Sequence, residues 1–235
     1  MMADDDEQEE VWRPSTELGR LVKQGKITDI HDALNHEKKL REPEIVDHLV
    51  PNLDDEVILI GGTPGKGGGK RRIVSKRTVR MHKSGRRFKT KAMVVIGNGN
   101  GLIGLGEGYA DDTREAIDKA RDNAKLNMIE IRRGNGSWED RGTEPTTIPF
   151  KQDGKSGSVE VELQPAPKGT GLAASDDVKK LLRLAGIQDL WIKSRGTTRT
   201  RENLLKATFN AFQNMNEIKT TDSIKEKTGL VVGKV

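Results

Sequence analysis

Between Val57 and Gly106 the chain carries twelve lysines and arginines and no carboxylate. They are Lys66, Lys70, Arg71, Arg72, Lys76, Arg77, Arg80, Lys83, Arg86, Arg87, Lys89 and Lys91. The whole chain has 41 basic and 36 acidic residues, a net charge of +5, so outside this window the acidic residues outnumber the basic ones by seven. A modest global charge therefore conceals a sharply segregated one. Cations at this density, interleaved with apolar residues, suit the neutralisation of phosphates along a nucleic acid. The bland alternative is a solvated lysine-rich loop. Against it, Ile73, Val79, Phe88 and the run Ala92 to Ile96 tie the segment to a packed sheet.

Further candidates lie at the glycine turn, Asn98 and Asn100, and in two later loops. Lys168 sits in Pro165-Ala-Pro-Lys-Gly-Thr-Gly, and Lys193, Arg195, Arg199 and Arg201 surround a Gly-Thr-Thr loop that leads into a helix. A helix start supplied with arginines and free amides can hold a phosphate, although a solvated loop explains the same residues. With Phe88 the only aromatic near the basic run, single-strand stacking is disfavoured, and recognition of double-helical RNA by shape and phosphate fits better.

Catalytic and cofactor chemistry find little support. Gly99-x-Gly101-x-x-Gly104 spells a dinucleotide fingerprint, but Leu105-Gly106-Glu107-Gly108-Tyr109 reads on as a strand where a helix should begin. The alternating glycines at 104, 106 and 108 instead leave one strand face bare for the close approach of an RNA backbone or of the domain's own helix. Gly62 and Gly67 have phosphate-loop spacing, yet Gly68 stands where the lysine should, and no hydroxyl follows Lys70. The histidines at 31, 36, 48 and 82 have no metal-ligand spacing, and the pairs Asp111-Asp112 and Asp176-Asp177 sit at helix starts. No nucleophile, base and orienting group come together. The chain reads as a binder without cofactor, metal or catalytic residues.

The elements that must position these residues follow from patterning. At 235 residues the chain suits one large or two small domains, and 33% hydrophobic with 3% aromatic residues makes two small cores easier to fill than one. Absence of cysteine excludes disulfides and thiolate sites. No apolar run approaches the ~20 residues of a membrane span, and Met1 to Glu10 is acidic, unlike a signal peptide, so a soluble cytoplasmic protein with no membrane partner is expected.

Residues 1–53 read as an acidic, disordered tip followed by three short helices that pack onto something else or fray. Residues 54–133 form the first unit. It has a strand ending Val57 to Ile60, a mobile basic loop Gly61 to Gly69, strands Arg71 to Met81 and Phe88 to Ile96 joined at Lys83-Ser84-Gly85-Arg86, and a third strand Gly101 to Tyr109. A helix follows, begun by Asp112 with Glu115 completing a capping box. Residues 134–145 are a linker. Residues 146–219 read ββαβα, with a first strand through Ile148 and Phe150, a turn at Asp153-Gly154 and strict alternation at Val159, Val161 and Leu163. Residues 220–235 are a tail. The fold class is α+β: a three-stranded antiparallel sheet with one helix, then a second α+β domain.

Several motifs, in order, carry a resemblance. Arg86-Arg87-Phe88, Val94 through Gly108, the Glu115-Ala-Ile-Asp-Lys-Ala helix and Asn127-Met-Ile resemble the small-subunit ribosomal protein S-five family. So do Pro165 through Gly171, Leu184-Ala-Gly-Ile, Ser194-Arg-Gly-Thr and Ala207-Thr-Phe, giving a match over roughly 57–216. The long amino-terminal extension and Arg132-Arg133-Gly are similar to the archaeal branch. The resemblance implies a double-stranded-RNA-binding-like first domain and a structural role on small-subunit rRNA. It also implies that the tip Lys83 to Arg87 reaches the rRNA helix at the neck. Proteins S-three and S-four, with this one, would line the channel by which mRNA enters and help unwind it, and contact with S-four would influence decoding accuracy. The tip Lys-Ser-Gly-Arg departs from the glycine pair of the bacterial pattern, and Gly61 to Lys76 has no close bacterial counterpart. A free double-stranded-RNA-binding regulator, or an accessory protein of a helicase, would present the same basic strands.

Overall fold

In the computed structural model, the described residues are 12–36, 38–64, 70–139 and 144–233. The acidic tip, Lys66 and the side chain of Lys70 lie outside them. Three short helices come first: α1 (Glu17–Lys23), α2 (Ile30–Leu34) and α3 (Glu44–Leu49). Thr16 caps α1, its hydroxyl oxygen accepting from the Gly19 N–H at 3.1 Å. Buried Glu42 accepts from the Trp12 indole N–H at 3.1 Å and from the Ser15 N–H and hydroxyl at 2.9 and 2.6 Å. Burial alone would raise the Glu42 pKa, but the hydrogen bonds from Ser15 and Thr16 hold it below the usual carboxylate range. What the extension packs on is its own neighbour: Ile30, Ala33, Val46 and Val50 cluster with Leu102 and Met128. Lys125 on Asp47 at 2.7 Å adds a tie.

The first sheet contains β1 (Asp54–Val57), β4 (Lys76–His82), β5 (Gly85–Gly97), β6 (Leu102–Ala110) and β7 (Met128–Glu130). Two short strands, β2 (Gly61–Pro64) and β3 (Lys70–Ile73), pair antiparallel with each other between β1 and β4. The expected loop at Gly61 is thus a two-stranded ribbon, and the expected strand Arg71 to Met81 is interrupted after Ile73. Helix α4 (Thr113–Leu126) covers one face of the sheet. Asp112 is its N-cap residue but makes no side-chain capping bond. β4, β5, β6 and α4 are the three-stranded antiparallel sheet and helix that the pattern predicts, extended by β1 and β7 at the edges.

The glycines of β6 determine how α4 lies. A Cβ at Gly104, Gly106 or Gly108 would overlap the backbone of α4 at Ala124, Ala120 or Ala116. The bare strand face therefore admits the domain's own helix, whose buried side chains Ala116, Ala120 and Ala124 are equally small. Of the two occupants the sequence allowed, it is the helix.

After β8 (Arg132–Arg133), the second unit has β9 (Gln152–Ser156), β10 (Val159–Pro165), β11 (Leu172–Ala173), α5 (Asp176–Leu184), β12 (Leu190–Arg195) and α6 (Arg201–Glu217), with sheet order β11-β12-β10-β9. Val159, Val161 and Leu163 point inward and Glu160 and Glu162 do not, as alternation requires. Two expectations change. Ile148 and Phe150 lie outside the named strands, and the turn sits at Gly157-Ser158, because Asp153 and Gly154 belong to β9. Gly154 is bare for the same reason as Gly106: α6 lies on it at Ala207 and Ala211. Helix α7 (Asp222–Thr228) and β13 (Val231–Val232) return the tail to β8, where Val231 pairs with Arg133.

The expectation of two separate cores also changes. Met93, Val95, Ile103 and Leu105, on the sheet face opposite α4, share one buried cluster with Val161, Leu181, Leu205 and Phe212 of the second unit. A chain poor in aromatics fills its interior by stacking the two units on a common apolar layer.

Candidate nucleic-acid interface

The basic window becomes an arm. β4 and β5 pair from Lys76↔Lys91 to His82↔Gly85, with Lys83 and Ser84 at the turn. β6 reaches only Ala110, opposite Thr90, so the arm projects beyond the helix-backed sheet. Cross-strand partners share a face. On one face Arg80 stands opposite Arg87, with Lys89 opposite Thr78. On the other Val79 faces Phe88 and Met81 faces Arg86, and the Arg77 guanidinium lies 4.8 Å from the Phe88 ring centre. Arg71, Arg72, Lys76, Arg77, Arg80, Lys83, Arg86, Arg87 and Lys89 are all exposed. Like charges directly opposite on a strand pair oppose folding. Arg80 and Arg87 stand opposed with no carboxylate bridging them among the described residues, so their charge is not neutralised there.

Phe88 is 45% exposed, and beside it stand Val79 at 53% and Met81 at 67%. Large apolar side chains at that exposure on a cationic arm suit contact with ribose and base surfaces between phosphates. Tyr109, also exposed, was hidden from linear reading: its register opposite Lys91 brings it to the base of the arm, where the Lys91 ammonium lies 5.2 Å from its ring centre. Its signal is the strand pairing, which sequence distance obscures.

Two of the twelve window cations have another task. Lys91 is buried, its ammonium paired with Glu202 at 2.6 Å and Glu107 at 3.1 Å. Lys76 reaches Glu202 at 3.2 Å, and Lys206 reaches Glu107 at 2.8 Å. Lys91 is therefore withdrawn from any RNA surface, because it neutralises carboxylates that arrive from β6 and α6. Burial opposes its charge, yet the two carboxylates and Tyr109 raise its pKa. Arg201 is likewise structural, donating to Asp177 at 2.9 Å and to the Leu59 carbonyl at 3.2 Å. The Asn98 side-chain oxygen accepts from the N–H groups of Asn100 and Leu102, holding the β5–β6 turn. Asn100 accepts from Arg133. Lys168 pairs with Glu144 and remains exposed. Lys193, Arg195 and Arg199 are exposed near the end of β12 and in the loop after it, apart from the arm.

The lysine–glutamate knot yields a pH prediction. Burial alone would raise the Glu202 pKa, but Lys91 and Lys76 outweigh it and hold the group below the ordinary carboxylate range. A depressed carboxylate pKa contributes stability above the unfolded value of roughly 4.3 and loses it as pH falls through the folded value. The native protein should lose stability below about pH 4, and Glu202→Gln should flatten that acid limb. A urea midpoint series from pH 3 to 6, read by circular dichroism, checks this; an unchanged acid limb in the variant would refute it.

The exposed cationic arm on a helix-backed antiparallel sheet, joined to a second α+β unit, defines an RNA-binding protein of structural type. Comparison with known proteins gives the particular family. Residues 70–132 match the family described as ribosomal protein S5, N-terminal domain, and residues 154–233 match ribosomal protein S5, C-terminal domain. Curated relatives bear the description small ribosomal subunit protein uS5. The chain is 46% identical to that of Methanocaldococcus jannaschii over 224 residues, covering 95% of this chain and 96% of the relative. It is 48% identical to that of Picrophilus torridus over 225 residues, 96% and 95%, and 49% identical to that of Ignicoccus hospitalis over 204 residues, 87% and 90%. The chain belongs to the ribosomal protein S5 family and is a structural ribosomal protein rather than an enzyme.

Proposed function

We propose that the chain is an rRNA-binding component of the small subunit of the cytoplasmic ribosome, seated at the junction of body and neck with the arm tip, Lys83 to Arg87, against an rRNA helix. In that seat it borders the channel by which mRNA enters, beside proteins S3 and S4. It contributes to subunit assembly, to opening of mRNA structure and, through its boundary with S4, to accuracy. The observation that carries the reading is the exposed, carboxylate-free arm with Arg80 opposed to Arg87, on a chain of this family.

Sedimentation tests it. The chain should travel with small subunits in a sucrose gradient at low salt and remain there at about 0.5 M salt, because protein contacts supplement the phosphate contacts. A protein held by ~6 to 10 phosphates alone would lose roughly 10³ to 10⁵ in affinity between 50 and 200 mM salt. Migration as a free protein, or release at the first rise in salt, would overturn the subunit reading in favour of a transient double-stranded-RNA partner.

A further inference from the structure

Far from the arm tip, the turn between β5 and β6 meets the end of α5 across an open cleft of about 850 Å³. The Gly99 N–H donates to the Leu184 carbonyl at 2.9 Å and closes one side. Arg133 lines the cleft and is only 7% exposed. Its Nη2 donates to the Asn100 carbonyl at 2.8 Å and to the Asn100 side-chain oxygen at 2.7 Å, and its Nη1 lies 3.5 Å from the Gly186 carbonyl. Among the described residues its Nε has no hydrogen-bond partner. All these acceptors are neutral.

Lys179 and Arg183, one helical turn apart on α5, line the same cleft, and Arg183 is exposed. Among the described residues, no carboxylate lies within ion-pair distance of Arg133, Lys179 or Arg183. Glu144 stands at the rim, but its carboxylate is joined to Lys168. Elsewhere the buried cation is paired differently: Lys91 has Glu202 and Glu107. A buried guanidinium without a counter-charge is costly, and the carbonyl dipoles at the end of α5 offset only part of that cost.

We infer that this cleft is a phosphate-binding site in which Arg133 forms the floor and Lys179 and Arg183 the rim. Phosphate suits it better than a protein carboxylate. Three cations line the cleft, where one carboxylate would leave most of the charge uncompensated, and the Arg133 and Arg183 guanidinium groups match the several acceptor oxygens of a phosphate. The site is distinct from the arm. β5 separates the two along its 13 residues, on the order of 40 Å at ~3.3 Å per residue. The phosphate can come from an RNA backbone or from a small phosphate compound, and the inference does not depend on where the arm binds.

The test is a nitrogen–proton NMR titration of the full chain with inorganic pyrophosphate. Saturable shifts are expected at the Gly99, Asn100 and Gly186 amides and at the Arg133 Nε–H. The surface variant Lys179→Glu/Arg183→Glu should weaken binding about 100-fold while the remaining spectrum stays native. Arg133→Met should abolish it, and the surface variant carries the test if that substitution disturbs folding. Addition of a short RNA duplex distinguishes the sources. Displacement of pyrophosphate points to an RNA phosphate and its retention to a small phosphate compound, and both support the site. Three results overturn it: no saturable shift up to about 50 mM pyrophosphate, equal binding by the surface variant, or tighter binding of a glutamate-rich peptide than of pyrophosphate.

Discussion

Reversing Arg80, Arg87 and Lys89 to glutamate is expected to abolish incorporation of the chain into small subunits and to lower its affinity for duplex RNA by about 10³-fold or more. These three side chains share one exposed face of the arm, Arg80 directly opposite Arg87 and Lys89 two residues along the strand. Each charge-assisted contact contributes roughly 1.5 kcal/mol, so three lost contacts already account for about 10³ before the added repulsion. The salt dependence should shift with them, its logarithmic slope falling by about one per lost phosphate contact. Folding should survive, because no core side chain is touched and the face already carries like charges in opposition. Filter binding across 50 to 200 mM salt, with gradient sedimentation of tagged chains, reads both quantities. Unchanged incorporation would remove the arm from the interface. The same substitutions at Lys91 would mislead, since that lysine serves the Glu202 and Glu107 knot and its loss reports on domain stacking.

The second large effect concerns the fold that presents the arm. Gly106→Val should destabilise the protein by about 3 kcal/mol or more, the upper range for overpacking, because its Cβ would meet helix backbone and not a movable side-chain end. Against a total stability of roughly 5–15 kcal/mol that is a large fraction, and separation of α4 from the sheet would leave the arm without its base. Urea unfolding measures it. Gly62→Ala is the control: a Cβ there meets nothing closer than the Arg71 carbonyl at 3.8 Å, and the cost should stay below about 1 kcal/mol. Equal effects at the two positions would refute the helix-on-glycine account.

Much of the architecture was legible because it rests on local rules. Alternation at Val159, Val161 and Leu163 made β10 readable, and the alanine stripe of α4 announced a helix with one small-residue face. Misreadings arose where a residue type has two local meanings. Asp153-Gly154 looks like a turn, yet Gly154 is a strand residue kept bare for α6. Gly61 to Gly69 looks like a loop, yet its ends, at Gly61 and Lys70, begin paired strands. At Gly154 the deciding contact comes from a distant part of the chain, α6, whereas at Gly61 it comes from the strand a few residues further on.

The same division runs through the function. The sequence by itself determined the segregation of charge, which requires no coordinates, and it determined the family through ordered motifs. Only the tertiary structure decided which cations stay exposed and which are neutralised within the chain. Lys91 and Arg201 are equal to Arg87 in type, but packing of α6 beside β6 and α5 supplies Glu202, Glu107 and Asp177 to neutralise them. Arg133 shows the converse, a cation the linear text marked only by its resemblance, which folding buries against neutral acceptors with no counter-charge among the described residues. Charge is a property of a residue, whereas availability of that charge depends on what folding brings within a few ångströms of it.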